Sequence, residues 1–294
     1  MALPKHLATC IESCLTDKYD NSVAIISTQP VSGGDINAAY CLQTNAGKFM
    51  LKLNSKSSYP DMFKREAEGL ASIRNTQTIA VPKVILQFDF EDDSGLLMEW
   101  VEVIRATPKA SQQLGRELAA MHKHSSSQFG FDTDNYMGSL PQSNRKHDTW
   151  AAFFTQERLE PMVKIAVDKK LLGHEDALLF DQLSNRLSEL FDEEAPSLIH
   201  GDLWGGNYLI SSDEKPYLID PAVSYGHREF DIAMTTLFGG FNREFYSAYN
   251  EAFPLADGWQ QRVDLWNLYP LLLHLNLFGL SYLGQVRDAL KNYL

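Results

Sequence analysis

Leu198-Ile199-His200-Gly201-Asp202-Leu203-Trp204-Gly205-Gly206-Asn207 is the stretch on which the reading turns. An apolar entry runs into a polar loop that carries Asp202 and, five residues later, Asn207. Tyr217-Leu218-Ile219 then delivers Asp220 at the end of a predicted strand, 13 residues beyond Asn207. Two carboxylates and a carboxamide are therefore expected on loops at strand ends. His200 stands beside them. Since Asp202 already supplies a carboxylate, the expected task of His200 is to hydrogen-bond the loop backbone rather than to move protons.

Upstream, the first hundred residues read as strands with one helix. Short apolar runs at 23–26 and 38–42 are followed by the turn Asn45-Ala46-Gly47 and a strand over 48–53. In that strand Phe49, Leu51 and Leu53 share one face, and Met50 and Lys52 the other. A helix is predicted over 62–74, with Phe63, Ala67, Leu70 and Ile73 on one side. Glu66 falls on that apolar side, where a carboxylate needs a cation, and Lys52 is the expected partner. Glu68 points nearly opposite, into solvent. A hairpin follows, with strands at 84–90 and 96–101 and a turn at 91–95. Gly33-Gly34, between the first two strands, lacks a full phosphate-loop pattern, yet it would let backbone N–H groups approach a phosphate. Beyond Trp100 the chain turns helical, first over 111–124.

Phosphoryl transfer needs the parts found here. One carboxylate orients the nucleophilic hydroxyl, a second carboxylate and an amide oxygen hold Mg²⁺, and a lysine steadied by a glutamate meets the phosphates. Lys52, Glu66, Asp202, Asn207 and Asp220 supply these roles in order, and H-x-D-x-x-x-x-N is the spacing of protein-kinase-like enzymes. The expected fold is α+β and two-lobed. Residues 1–98 form a small β-rich, nucleotide-binding N-lobe. Residues 99–294 form a mostly helical C-lobe with the catalytic loop, the metal site and the acceptor-binding helices. ATP and Mg²⁺ are the expected cofactors. Asp231 follows Asp220 by only 11 positions, which leaves little room for an activation segment or a peptide platform. Pro221 also fixes the backbone after Asp220. A small-molecule acceptor is expected, with no obligate protein partner.

The sequence resembles the fructosamine kinases, or ketosamine-3-kinases, of the aminoglycoside phosphotransferase branch of this fold. His200-Gly201-Asp202 marks the branch and Trp204 the narrower family. Further marks are Phe129-Gly130-Phe131, Asn135-Tyr136-Met137-Gly138, Gln142, Asn144, Trp150, Phe153-Phe154, Arg158, Ile219-Asp220-Pro221-Ala222 and Tyr225-Gly226-His227-Arg228-Glu229. The resemblance implies phosphorylation of the third-carbon hydroxyl of ketosamines, the Amadori products of sugars with amines, leading to deglycation. It implies Asp202 as base and Asn207 and Asp220 as metal ligands. Lys52 and Glu66 become the nucleotide-positioning pair, and Met98, Glu99 and Trp100 the adenine-contacting segment. Trp204 would lie against the sugar, and His227 and Glu229 would line the acceptor pocket. From the residues themselves, Asp231, before the apolar run 232–238, reads as a helix N-cap or loop brace, and His274, in the apolar terminal helix, as a core histidine by default, with a role in the acceptor cleft left open. Two departures stand out: Asp35 where many eukaryotic relatives carry a cysteine, and Lys146 where relatives often show tryptophan.

Composition bounds the rest. The chain has 294 residues, 44% hydrophobic, with a formal net charge of -12. The composition is that of a folded globular protein and argues against disorder as an overall description. A net acidic surface disfavours nucleic acid and anionic membranes as partners. Cys10, Cys14 and Cys41 make neither a disulfide framework nor a zinc site. The start lacks a secretory apolar core, and the apolar stretch over 268–283 contains Pro270, His274 and Asn276. A buried helix and a cytoplasmic protein are expected. Two other readings stay open: a kinase for another small hydroxylated acceptor (an aminoglycoside, choline or a sugar), and a non-catalytic nucleotide-binding protein.

Overall fold

The structure is a computed structural model that describes residues 3–31 and 36–294. Gly33, Gly34 and Asp35 lie outside the described residues.

Helix α1 (Lys5–Tyr19) precedes β1 (Ile25–Pro30), β2 (Ala38–Thr44) and β3 (Gly47–Ser55). Helix α2 (Met62–Asn75), β4 (Val84–Phe90) and β5 (Asp93–Glu99) follow. The five strands form one antiparallel sheet in the order β1-β2-β3-β5-β4. The period of β3 decides what each face meets. Phe49, Leu51 and Leu53 pack with Leu7, Ile11 and Leu15 of α1. On the opposite face Met50 and Met98 join Phe63, Leu70 and Ile73 of α2. Lys52 therefore points toward α2, away from solvent. Helix α1 presents its leucines and isoleucine every four residues, and Cys10 and Cys14 stay free at its half-buried flank.

The β4–β5 turn is shorter than the polar run 91–95 suggests. Phe90 and Asp93 already pair across it, and Glu91 turns the chain at φ 55°. Ser94 bonds Asp89 at 2.9 Å, and Gly95 lies under the Phe88 ring, where a Cβ would come within 2.3 Å of the ring. Those polar and small residues serve the strand, not the loop.

The second half runs α3 (Pro108–His122), β6 (Asn135–Met137), β7 (Leu140–Gln142), α4 (Trp150–Phe153), α5 (Glu160–Asp168) and α6 (His174–Arg186). It continues through β8 (Ser197–Ile199), β9 (Tyr208–Ile210), β10 (Pro216–Leu218), β11 (Ser224–Gly226), α7 (Glu229–Leu237), α8 (Arg243–Ala252), α9 (Val263–Phe278) and α10 (Leu283–Lys291). Helix α3 begins earlier than its apolar period indicates, because Thr107 caps it and Pro108 suits the first turn. It lies close on α8 at Gly115, where a Cβ would sit 2.4 Å from the Phe245 carbonyl oxygen. Between α4 and α5 a π-helical turn, Phe154–Leu159, shifts the register. Helix α9 is buried nearly all round and packs with Trp150, Phe153, Phe154 and Phe230. Short ladders β9–β10 and β8–β11 carry the loops of the decisive decapeptide and of Asp220. Among the described residues no helix is long and apolar enough to cross a membrane.

Candidate active site

Strand β8 ends at Ile199, and the chain then turns sharply at Gly201, φ +82°. A Cβ there would lie 2.1 Å from the Ala222 carbonyl oxygen, so only glycine fits this approach. The turn is held from α7. Asp231 accepts from the His200 N–H at 2.6 Å and the Gly201 N–H at 2.9 Å, and is wholly buried. Its third partner is His122 Nε2 at 3.1 Å, and His122 Nδ1 meets the Tyr249 hydroxyl at 2.7 Å. Asp231 sits inside the first turn of α7, not at its N-cap.

The tautomer of His200 follows from its partners. Nε2 lies 2.9 Å from the Ile219 carbonyl, which can only accept, so Nε2 carries the proton. Nδ1 then accepts from the Asp202 N–H at 3.2 Å. Burial pushes the ring's pKa down, in keeping with a neutral imidazole. The ring thus ties the Asp202 loop to the strand end that delivers Asp220.

Asp202 is pushed up to about 7, chiefly by burial and then by the charge of Asp220, against the pull of a hydrogen bond from Asn207. The Asn207 amide nitrogen donates to Asp202 Oδ2 at 2.9 Å and to the Asp202 carbonyl at 2.8 Å. Its nitrogen is committed to Asp202, and its oxygen is left for another partner. Lys52 comes from the sheet, 6% exposed, and donates to Glu66 Oε1 at 2.7 Å and to Asp220 Oδ1. Burial alone would lower the ammonium's pKa, but Asp220 and Glu66 outweigh it and raise it, so Lys52 stays charged. Asp220 occupies the left-handed region at φ 55°.

Lys52, Glu66, Asp202, Asn207 and Asp220 all line one cavity of about 940 Å³. The donor set suits Mg²⁺: carboxylate and carboxamide oxygens are hard ligands, and so small a protein set matches an ion that also keeps phosphate and water oxygens. Trp204 stands at the mouth, 39% exposed, with Phe238 edge-on at 6.1 Å between ring centroids.

Three expectations are revised. His227 and Glu229 are about 1% exposed and do not line the cavity. Glu229 accepts from Arg262 Nε and Nη2, at 2.8 and 2.6 Å, and from the Trp266 N–H at 3.1 Å. His227 is stacked on Trp266, with ring centroids 5.5 Å apart. Both are core residues tying α7 to α9. His274 moves the other way: anchored to the Pro270 carbonyl at 2.7 Å, it lines the cavity beside Phe238. Met98 and Glu99 end β5 and Trp100 follows it, with the Glu99 N–H bonded to the Lys83 carbonyl at 2.9 Å. Sequence reasoning gave no role to Asn135, Tyr136, Phe238 and Tyr282, which also line the cavity. For Asn135 and Tyr136 the one signal was their place in a family motif.

The family described as "Fructosamine kinase" matches residues 7–294. A "Probable ketoamine kinase" of Synechocystis sp. is 40% identical over 267 residues, covering 90% of this chain and 89% of the relative. The chloroplastic "Protein-ribulosamine 3-kinase" of Arabidopsis thaliana is 37% identical over 272 residues, covering 90% and 81%. Among solved structures, the "putative fructosamine-3-kinase" of Thermobifida fusca superposes with a TM-score of 0.86 at 34% identity, covering 96% of this chain and 98% of that one. The aminoglycoside phosphotransferase APH(4)-Ia shares the fold, with a TM-score of 0.62 at 16% identity, covering 98% and 99%.

Proposed function

We propose how the site works from one premise: this chain belongs to the fructosamine kinase family. It is an ATP-dependent phosphotransferase with ketosamines as acceptors, and the transferred phosphoryl group goes to the third-carbon hydroxyl. The observation that carries the reading is that Lys52, Glu66, Asp202, Asn207 and Asp220 share one cavity. The lobes divide after Met98, with 1–98 serving the nucleotide and 99–294 the acceptor and the metal.

Asp202 takes the proton of the acceptor hydroxyl. A carboxylate titrating near 7 can both hold and release a proton under neutral conditions, which is what a general base needs. Asn207 fixes the rotation of that carboxylate through its amide nitrogen. Lys52, oriented by Glu66, meets the phosphates, and its charge is secured by two acids. The Asn207 oxygen and Asp220 would hold Mg²⁺, which when bound neutralises phosphate charge during transfer. The backbone of the Met98, Glu99 and Trp100 segment contacts adenine. The Trp204 ring lies against the C–H face of the sugar. The product carries phosphate on C3, the carbon α to the C2 carbonyl. Loss of a C1 proton gives the C1=C2 enaminol, the amine lone pair then expels inorganic phosphate from C3, and hydrolysis of the resulting C1 imine frees the amine.

Incubation of the chain with ATP, Mg²⁺ and a fructosamine or ribulosamine should consume ATP and yield one phosphorus resonance coupled to the C3 proton. Turnover only with an aminoglycoside, choline or a plain sugar would replace the acceptor assignment. No turnover with any acceptor would overturn the enzymatic reading.

A further inference from the structure

Among the residues on the cavity wall, Asn135 is built in an unusual way, and no step above uses it. Its side chain is 7% exposed, at the start of the β6–β7 hairpin. The amide nitrogen donates to the Val223 carbonyl at 2.9 Å. The amide oxygen accepts from Gln142 Nε2 at 2.8 Å, and Gln142 Oε1 accepts from the Tyr269 hydroxyl at 2.6 Å. Gln142 is 3% exposed and Tyr269 1%.

The polarity of this chain leaves no choice. A backbone carbonyl can only accept, so the Asn135 atom facing Val223 must be nitrogen. Its oxygen then faces Gln142, which must present nitrogen in turn, so the Gln142 oxygen faces Tyr269 and the phenol must donate. Neither amide can flip without setting like groups against each other. The Asn135 amide nitrogen carries two hydrogens, and Val223 uses one. The other has no protein partner among the described residues.

Position gives this hydrogen a use. Val223 follows Ala222, whose N–H bonds the His200 carbonyl at 2.9 Å and whose own carbonyl crowds Gly201. Asn135 is thus anchored to the segment that packs against the residues just before Asp202, at the reacting end of the cavity. We infer that Asn135 is a specificity residue: it offers a fixed N–H to the C2 oxygen of the acceptor, next to the reacting C3 hydroxyl. Gln142 and Tyr269 are positioning residues that keep the donor turned outward. A donor-only group favours a carbonyl or hemiketal oxygen at C2 and rejects a cationic amine there. The inference rests on the ketosamine reading and adds how the ketose is told from its amino-sugar analogues.

The test is steady-state kinetics of wild type, Asn135→Asp, Gln142→Glu and Tyr269→Phe with one ketosamine and with its C2-methylene analogue. Each substitution should raise the acceptor KM or lower kcat/KM for the ketosamine by roughly 5- to 30-fold, as expected for one directed hydrogen bond. The KM for ATP should stay within about twofold, since only acceptor binding is touched. The methylene analogue should cost the wild type a similar factor and cost Asn135→Asp almost nothing more, the mark of a shared contact. The analogue arm needs only the wild type, so it stands even where a variant does not fold. An active wild type that treats ketosamine and analogue alike would overturn this inference alone. A wild type inert with every ketosamine would overturn the acceptor reading and this inference with it.

Discussion

Asp231 gives the sharpest test of how the catalytic loop is held. It is wholly buried, and its two oxygens accept two backbone N–H groups that have no other partner, those of His200 and Gly201. Asp231→Ala leaves both donors, and His122 Nε2, without an acceptor in a site closed to water. Hydrogen bonds to a charged group contribute about 1.5–3 kcal/mol each, so the two backbone bonds together contribute about 3–6 kcal/mol. Folded domains have only roughly 5–15 kcal/mol in all, so the loss is a large share of it. At about 2 °C per kcal/mol for a chain of this size, the thermal midpoint should fall by roughly 6–12 °C. Asp231→Asn should fall between, because it keeps one acceptor oxygen but turns an amide nitrogen toward the second N–H. Differential scanning calorimetry of the three proteins gives the order directly. An alanine variant melting within about 2 °C of wild type would refute the account, since that shift corresponds to less than one charge-assisted bond.

Gly201→Ala combines a left-handed backbone with a Cβ 2.1 Å from a carbonyl oxygen, and should cost more than about 2 kcal/mol in urea unfolding. Gly284→Ala, a helical position with open space around it, should instead raise stability by up to about 1 kcal/mol. Burial alone would raise the pKa of Glu229, but bonds from Arg262 and Trp266 and the nearby His227 outweigh it and lower it. Its stabilising contribution is therefore complete above the ordinary carboxylate pKa, about 4.3, and fades as pH falls through its own lower value. The gap in melting midpoint between wild type and Glu229→Gln should be widest at neutral pH and close under acid, and a gap that widens in acid would contradict the sign. Asp202→Asn should abolish phosphoryl transfer while sparing nucleotide binding by calorimetry, whereas Asp220→Ala should remove the Mg²⁺-dependent part of nucleotide affinity. The reverse pattern would mean the two carboxylates have exchanged roles.

What the sequence discloses depends on how local the governing rule is. The burial of Lys52 follows from the period-2 pattern of 49–53, and the side of Glu66 from the helical period of 62–74. Both rules act within a few residues, so both are readable. The fate of Glu229 depends on Arg262, 33 residues away, and on Trp266, 37 residues away, so nearness to Asp231 in sequence misled. His274 reverses the error. It sits in an apolar run that suggests burial all round, yet the last turns of α9 come out at the cavity, where Phe238, Phe278 and Tyr282 surround it. Arg158 was visible only as a motif letter. The structure shows it buried without a carboxylate, donating to the Ser143 carbonyl and Asn144 Oδ1 at 2.6 and 2.7 Å. It thereby fastens the open end of the β6–β7 hairpin, the end at which Asn135 pairs with Gln142.

The helix that carries Glu66 and the segment that carries Asp220 are joined by direct contact. Gly69, on α2, lies against Pro221 and Val223; a Cβ there would stand 3.3 Å from the proline ring and 3.4 Å from the valine methyl. A parallel bridge also ties Ala80, just beyond α2, to Tyr217, and the Leu218 N–H bonds the Ala80 carbonyl at 2.9 Å. The placement of Glu66 and that of Asp220 are thus one mechanical fact, and Lys52 closes on both. In an enzyme regulated by swinging this helix, the contact would have to break and re-form. Here the missing side chain at Gly69 lets the helix seat closely, and Pro221 removes a rotatable torsion directly after the acid. The residues between Asp220 and Asp231, 11 positions apart, are spent on the His200–Ala222 bond and the β8–β11 ladder, with no span left over for a movable segment. A site assembled by packing alone suits an enzyme whose rate follows the supply of its acceptor rather than a covalent switch.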